Sequence, residues 1–304
     1  MKFFRRLFVL IIVLVIIAAA LYINRVAVLD WISESSKPDL PPAVAFEDVA
    51  REPLLEEVFA DVEPEYVEEE EVVVVEEEVE KEEIIDVVEE IALEDVEDVV
   101  DEKEIVEEVE TELPLAINLA VPFTSQAPSG NWDQPYQDLC EEASVYMVER
   151  YFAGEPEGQI SNETADEDLL KIRDFEVELF GYYESTTAEQ TGIFAELMFG
   201  FSSSELIENP TVEQIKQHVA AGRPVIVPAA GRLLGNPNFT APGPLYHMLV
   251  IRGYTEDGRF ITNDPGTRNG EQYLYDFDTI MYAMHDWNEG EVIDGRKVII
   301  IIYP

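Results

Sequence analysis

The chain has 304 residues, 65 of them acidic and 19 basic, for a formal net charge of −46. That balance argues against nucleic acid as a partner, because such affinity comes largely from Lys and Arg neutralising phosphates, and against an anionic membrane surface as a partner of the folded part. A single cysteine, Cys140, excludes an internal disulfide, and three histidines (His218, His247, His285) without ligand spacing leave no evident metal site.

The opening stretch, MKFFRRLFVLIIVLVIIAAALYI, places Lys2, Arg5 and Arg6 ahead of an uncharged run from Leu7 to Ile23, close to the ~20 residues that cross a bilayer. Residues 1–6 are expected to be a cytoplasmic N-terminus and 7–24 a single-pass signal-anchor helix, with everything after it exported. Ala18, Ala19 and Ala20 offer a small-residue cleavage site, so a removable signal peptide is the rival. The apolar run continues past them, which favours the uncleaved anchor. A solitary thiol in an exported region is easier to understand if it has a chemical task.

Residues 25–114 begin with prolines (Pro38, Pro41, Pro42) and then become almost entirely Glu, Asp, Val and Ile. The runs Glu68–Glu71, Val72–Val75 and Glu76–Glu78 have no amphipathic period. From Glu82 to Val100 the apolar residues follow helical spacing, but only Lys81 and Lys103 offset the negative charge. The expectation is an extended, self-repelling stalk that holds the next region away from the membrane. No spacing within it supports a calcium loop.

From 115 to 304 the composition becomes that of one globular domain, about 190 residues and ample for a single core. A short apolar strand runs into the loop VPFTSQAPSGNWDQPYQ. The segment Asp138–Phe152, DLCEEASVYMVERYF, then reads as a helix with Ala143, Met147, Val148 and Tyr151 on one buried stripe. Asp138 with Glu141 fits a capping box and puts Cys140 in the first turn, where free N–H groups and the helix dipole favour a thiolate. Further helices are expected over Glu163–Leu179, Thr187–Phe199 and Thr211–Ala221, the last with Thr211 and Gln214 as a capping box. The period then changes to that of strands at Arg223–Pro228, Tyr246–Gly253, Arg259–Thr262 and Lys297–Ile302. Helices first and antiparallel strands afterwards indicate an α+β domain.

The turn TEDG (Thr255–Gly258) between two apolar runs predicts a hairpin. With a loop of about five residues, His247 falls nearly opposite Asp264 and Pro265, across strands ~4.8 Å apart. A carboxylate there would fix the imidazole tautomer and stabilise its cation. Cys140 at a helix start, His247 on a strand and Asp264 on the next form a nucleophile–base–orienter set.

The pieces VPFTSQ, CEEAS, the helix before GRPVIVP, HMLVIRGY and FITNDPGTRNG occur in the order found in papain-like cysteine peptidases. The chain resembles that superfamily, and in particular the bacteriocin-processing, double-glycine-leader peptidase-like domains, over its last 190 residues or so. The resemblance implies a papain-like α+β fold with Cys140 as nucleophile, His247 as general base and then acid, and Asp264 as orienter. It also implies a glutamine that stabilises the oxyanion: Gln126 in VPFTSQ, with Gln134 and Gln137 as alternatives nearer the cysteine. No cofactor is implied, and the partner is a peptide or protein substrate.

The family's better-known members follow the cysteine with Gly and a small residue or Pro, whereas Glu141 and Glu142 stand here. Acidic residues suit a helix N-terminus but raise a neighbouring thiol's pKa. Either they face outward, or they help select a cationic substrate group. Trp132, Tyr136, Tyr246 and the Pro242–Pro244 loop are candidates for a substrate groove. The expected activity is that of a membrane-anchored, extracytoplasmic hydrolase of peptide or amide bonds. The alternatives are a catalytically silent surface binding module, and an amidase or acyl-transferase acting on cell-wall peptides. A single membrane segment and the absence of GxxxxGK[ST] argue against an ATP-driven pump.

Overall fold

The computed structural model describes residues 39–49 and 113–304. The expected cytoplasmic N-terminus (1–6), the membrane helix (7–24) and the acidic run from 50 to 112 lie outside the described residues. Among the described residues, no helix is long and apolar enough to cross a membrane.

The run VIIIIY gives the sheet one of its central strands. Its β-branched residues suit a pleated surface, and an uninterrupted apolar run suits a strand covered on both faces. In chain order the strands are β1 (Ala43–Val44), β2 (Ile117–Leu119), β3 (Ser203–Glu208), β4 (Val225–Ala229), β5 (His247–Tyr254), β6 (Arg259–Asn263), β7 (Tyr273–Asp276) and β8 (Val298–Tyr303). They form one sheet in the order β1-β2-β5-β4-β8-β3, with β6 and then β7 joined to β5. Every pairing is antiparallel except β1 with β2.

The helices are α1 (Phe46–Val49), α2 (Cys140–Phe152), α3 (Asn162–Phe180), α4 (Ala188–Phe199), α5 (Val212–Ala220) and α6 (Phe277–Ala283). The capping boxes of α4 (Thr187 with Gln190) and α5 (Thr211 with Gln214) are both formed. Helix α2 packs on β5, α4 on β3 and β8, and α5 on β5, β2 and β4. All of β5 is buried. The α+β expectation therefore holds. Within 113–304, β3 and β7, whose strands are only partly buried, and α6, which is too short for a clear period, were not anticipated.

The domain boundary needs correction. The stalk was expected to span 25–114, yet residues within it belong to the folded unit: Ala43 and Val44 pair in parallel with Asn118 and Leu119. Phe46 meets the rings of Tyr151 and Phe152 edge-on at 5.7 and 5.0 Å, and Val49 lies over Gly222 where a Cβ would stand. Ala43, Val44, Phe46 and Val49 are partly buried there. Burying them is what draws this piece onto the domain.

Candidate active site

Helix α2 begins at Cys140 itself, and no side chain caps it. The expected capping box is not formed. Asp138 instead accepts from the side chains of Gln134 (2.5 Å) and Gln137 (3.3 Å), and Glu141 turns inward. Among the described residues the Cys140 N–H has no backbone acceptor, as befits a first-turn donor. Nor is the helix buried along a single stripe: every residue from Cys140 to Val148 is buried. Cys140 is 5% exposed, and its Sγ donates to Glu141 Oε2 at 3.0 Å. No hydrogen bond joins it to His247. Burial pushes the Cys140 thiol well up, followed by the charge and hydrogen bond of Glu141 and the charge of Glu142, while the Met248 N–H works the other way.

His247 opens β5, and its Nε2 lies 2.8 Å from Asp264 Oδ1, both residues buried. Asp264 follows β6 in a loop closed by its own N–H donating to Gly270 O at 3.0 Å. The expected pair thus meets, but through a different register. Val250 pairs with Asn263 and Gly253 with Ile261, so a bulge at Arg252 moves the partner strand along and brings Gly266 against the imidazole. The bulge residue, Arg252, is fully buried, bonding Leu119 O at 2.8 Å and pairing with Glu157.

Asp264 is surrounded by donors. Tyr275 Oη donates to Oδ2 at 2.6 Å, Asn236 Nδ2 to Oδ2 at 3.0 Å and the Gly266 N–H to Oδ1 at 3.0 Å. Burial alone would push its carboxyl up. The His247 charge and the hydrogen bonds from His247, Tyr275 and Gly266 outweigh that and hold it below its ordinary value. An ionised Asp264 at Nε2 fixes the proton there in neutral His247, leaving Nδ1 as the basic nitrogen. Phe239 packs edge-on against the ring at 5.4 Å.

Cys140, His247 and Gln126 open onto one cleft of about 1180 Å³. Of the expected groove residues, Trp132, Gly243, Pro244 and Tyr246 line it and Tyr136 and Pro242 do not. Trp287 and Phe239 add aromatic wall that the sequence did not flag.

The Gln126 expectation meets a different geometry. Its Nε2 donates to Tyr136 O at 3.0 Å and Gln137 O at 2.9 Å, which occupies both amide protons, and its buried Oε1 has no partner among the described residues. In this arrangement Gln126 braces the turn ahead of Cys140 and has no donor free. Gln134 is held by Asp138 and Tyr183 and does not reach the cleft, whereas Gln137 is exposed and lines it. The loop carrying Gln126 is itself stitched to the Asp264 loop: Gln126 N–H and Ser125 Oγ both donate to Pro265 O, at 3.0 and 3.2 Å, and Asn263 Nδ2 donates to Val121 O and Pro122 O.

Glu141 and Glu142 do not face outward. They are 1% and 0% exposed, and Glu176 of α3, also fully buried, stands against Glu142. Sequence reasoning missed Glu176, Asn236 and Tyr275. The spacing of α3 puts Glu176 on the same face as Ala165, Leu169 and Ile172, a signal that was readable. Asn236, in an irregular loop, gave none.

The family described as Peptidase_C39 like family matches residues 118–290, more than half of the chain. A solved C39-like peptidase from Bacillus anthracis is similar at 14% identity with a TM-score of 0.41, over 62% of this chain and 98% of that one. No curated protein is matched. The chain belongs to the Peptidase_C39-like family, within the papain-like cysteine peptidase superfamily.

Proposed function

We propose that the chain is a hydrolase of peptide or amide bonds in which Cys140 is the nucleophile, His247 the base and then the acid, and Asp264 the orienter. His247 Nδ1 takes the thiol proton, and the sulfur attacks the substrate carbonyl. The tetrahedral intermediate collapses with loss of the C–N bond, and the leaving amine departs with the proton from His247. Water, deprotonated by the same nitrogen, then cleaves the thioester, giving the carboxylic acid and restoring the thiol. The Cys140 N–H is the oxyanion donor on hand, and the exposed Gln137 amide or a re-aimed Gln126 supplies the second.

One observation carries this reading: the buried 2.8 Å contact of His247 with Asp264, at the wall of a cleft that Cys140 also lines. The charge pattern of residues 1–24 supports a single-pass anchor with the domain outside the cytoplasm.

The bond from Cys140 to Glu141, in place of one to His247, favours a second reading, a catalytically silent binding module. Labelling with a peptidyl cysteine electrophile separates the two. The hydrolase reading expects the wild type to label much faster than a free peptide cysteine, Cys140→Ala not at all, and His247→Ala slowly. Equal rates for His247→Ala and wild type would remove His247 as the base. A wild-type rate no faster than that of a free peptide cysteine would leave the silent module.

A further inference from the structure

The carboxyl group on the nucleophile is the feature that the catalytic reading does not use. Glu141 accepts the Cys140 S–H at 3.0 Å. Among the described residues no donor reaches its other oxygen, either oxygen of Glu142 or either of Glu176 in good hydrogen-bond geometry, although Thr186 stands beside Glu141 and Glu176. Carboxylates accept and cannot donate, so facing carboxyls are satisfied only by a proton held between them. Three buried negative charges at close quarters would be costly. Burial first raises all three, helped at Glu141 by the charge of Asp138 and at Glu142 and Glu176 by repulsion within the cluster: Glu141 to about 7, Glu176 to about 8, and Glu142 well above its ordinary value.

Around Glu141 stand Cys140 and Glu142 of its own helix, Asp138 in the preceding turn and Glu176 of α3. The Thr186 N–H lies before α4, and Tyr246, whose hydroxyl donates to Asp286, stands at the start of β5 beside His247. Arg173 on α3 pairs with Asp174. The sulfur is therefore flanked by an imidazole on β5 and an acidic cluster on α2 and α3, and the thiol's hydrogen bond goes to the cluster.

Resting on the reading of Cys140 and His247 as nucleophile and base, we propose that Glu141, backed by Glu142 and Glu176, is a positioning residue that holds the Cys140 thiol protonated and releases it to His247 when the cluster takes up a proton. While Glu141 is ionised, it accepts the S–H and its charge opposes a thiolate. Once it is protonated, that charge is gone, and its O–H can donate to the sulfur anion. The proton leaving sulfur goes to His247 Nδ1, so no further reactant is needed.

Cys140 is the only cysteine, so mass spectrometry of the intact protein reads its alkylation by iodoacetamide without ambiguity. The rate constant is measured from pH 4.5 to 9.5 for wild type, Glu141→Gln, Glu142→Gln and His247→Ala. Glu141→Gln mimics the protonated acid. Its profile is expected to move toward acid by about one pH unit or more, and that of Glu142→Gln by less in the same direction. A merely structural role would lower the melting temperature and leave the profile in place. If Glu141→Gln superimposes on wild type, or moves toward alkali, the proposal is overturned. If Glu141→Gln does not fold, Glu142→Gln, whose carboxyl does not touch the sulfur, decides by the same criterion. Failure of the underlying nucleophile reading looks different: His247→Ala then reacts as fast as wild type at every pH.

Discussion

Val44 and Leu119 are paired neighbours in one sheet, with the whole acidic segment running between them in sequence. The folded unit thus takes residues from both sides of the acidic segment, from 39–49 and from 113 onward. Replacing 53–112 by a short Gly-Ser linker is expected to leave the thermal midpoint and circular dichroism of the domain unchanged. Phe46→Ala is expected to cost about 2 kcal/mol, the half-buried ring losing its contacts with Tyr151 and Phe152. Denaturant titration of the two variants checks both. An unmoved midpoint in Phe46→Ala would return 39–49 to the stalk.

Asp264 depends on neighbours far from it in sequence. Tyr275→Phe removes the 2.6 Å donor, and loss of a hydrogen bond to a buried carboxylate costs about 1.5–3 kcal/mol. Asp264→Asn keeps the shape but lets the amide donate to Nε2, which moves the imidazole proton to Nδ1 and disables the base. The same exchange in a serine triad lowers turnover ~10⁴-fold. Peptidase assays should therefore show Asp264→Asn far more damaged than Tyr275→Phe, while urea titrations show both destabilised. Comparable turnover in Asp264→Asn and wild type would sink the tautomer argument.

What the sequence made legible was whatever has a local period or an ordered set of short motifs. The stripe and capping box of α5 and the apolar runs of β4, β5 and β8 are local signals, and each element stands within a residue or two of its expected place. That His247 and Asp264 belong to one end of one hairpin was also readable, although the register across it was not. The details that depend on burial were not. A bulge at Arg252 is stabilised by Leu119 O and Glu157, distant in sequence. The inward turn of Glu141 and Glu142 exchanges helix capping for a carboxyl cluster completed by Glu176 from another helix. Gln126, chosen as a donor to substrate, spends its amide on the carbonyls of residues 136 and 137.

Gly266 approaches His247 more closely than a side chain allows. A Cβ there would stand 2.8 Å from His247 Cε1 and 2.9 Å from Phe239 Cε1, so Gly266→Ala must displace the imidazole or the phenyl ring. A misplacement of ~1 Å at a reacting group can cost ~100-fold in rate. The expected result is a fall of that order in turnover with a small change in melting temperature. Wild-type turnover in Gly266→Ala would show that Phe239 alone yields and that the ring position has slack.

The buried acids set how stability depends on pH. Glu141, Glu142 and Glu176 titrate near 4.5 when unfolded and higher when folded, to about 7 for Glu141 and about 8 for Glu176. Between these values the native state holds more protons than the unfolded chain, so stability is full below about pH 4.5 and declines as pH rises toward 8. Asp264 acts in the opposite sense, but its share is lost only as pH falls below its ordinary value of 3.8, outside that window. His218, lowered by burial and by Arg223, also opposes the trend, since its neutral form is favoured on folding and its contribution grows as pH rises toward 6.5 and is complete above it. The general repulsion of a chain at −46 acts in all variants alike. The cluster's share is thus the difference between wild type and Glu142→Gln in melting temperature from pH 5 to 8. Glu142→Gln should show the flatter curve, overtaking wild type toward pH 8, and parallel curves would mean that the three acids carry no proton which folding retains.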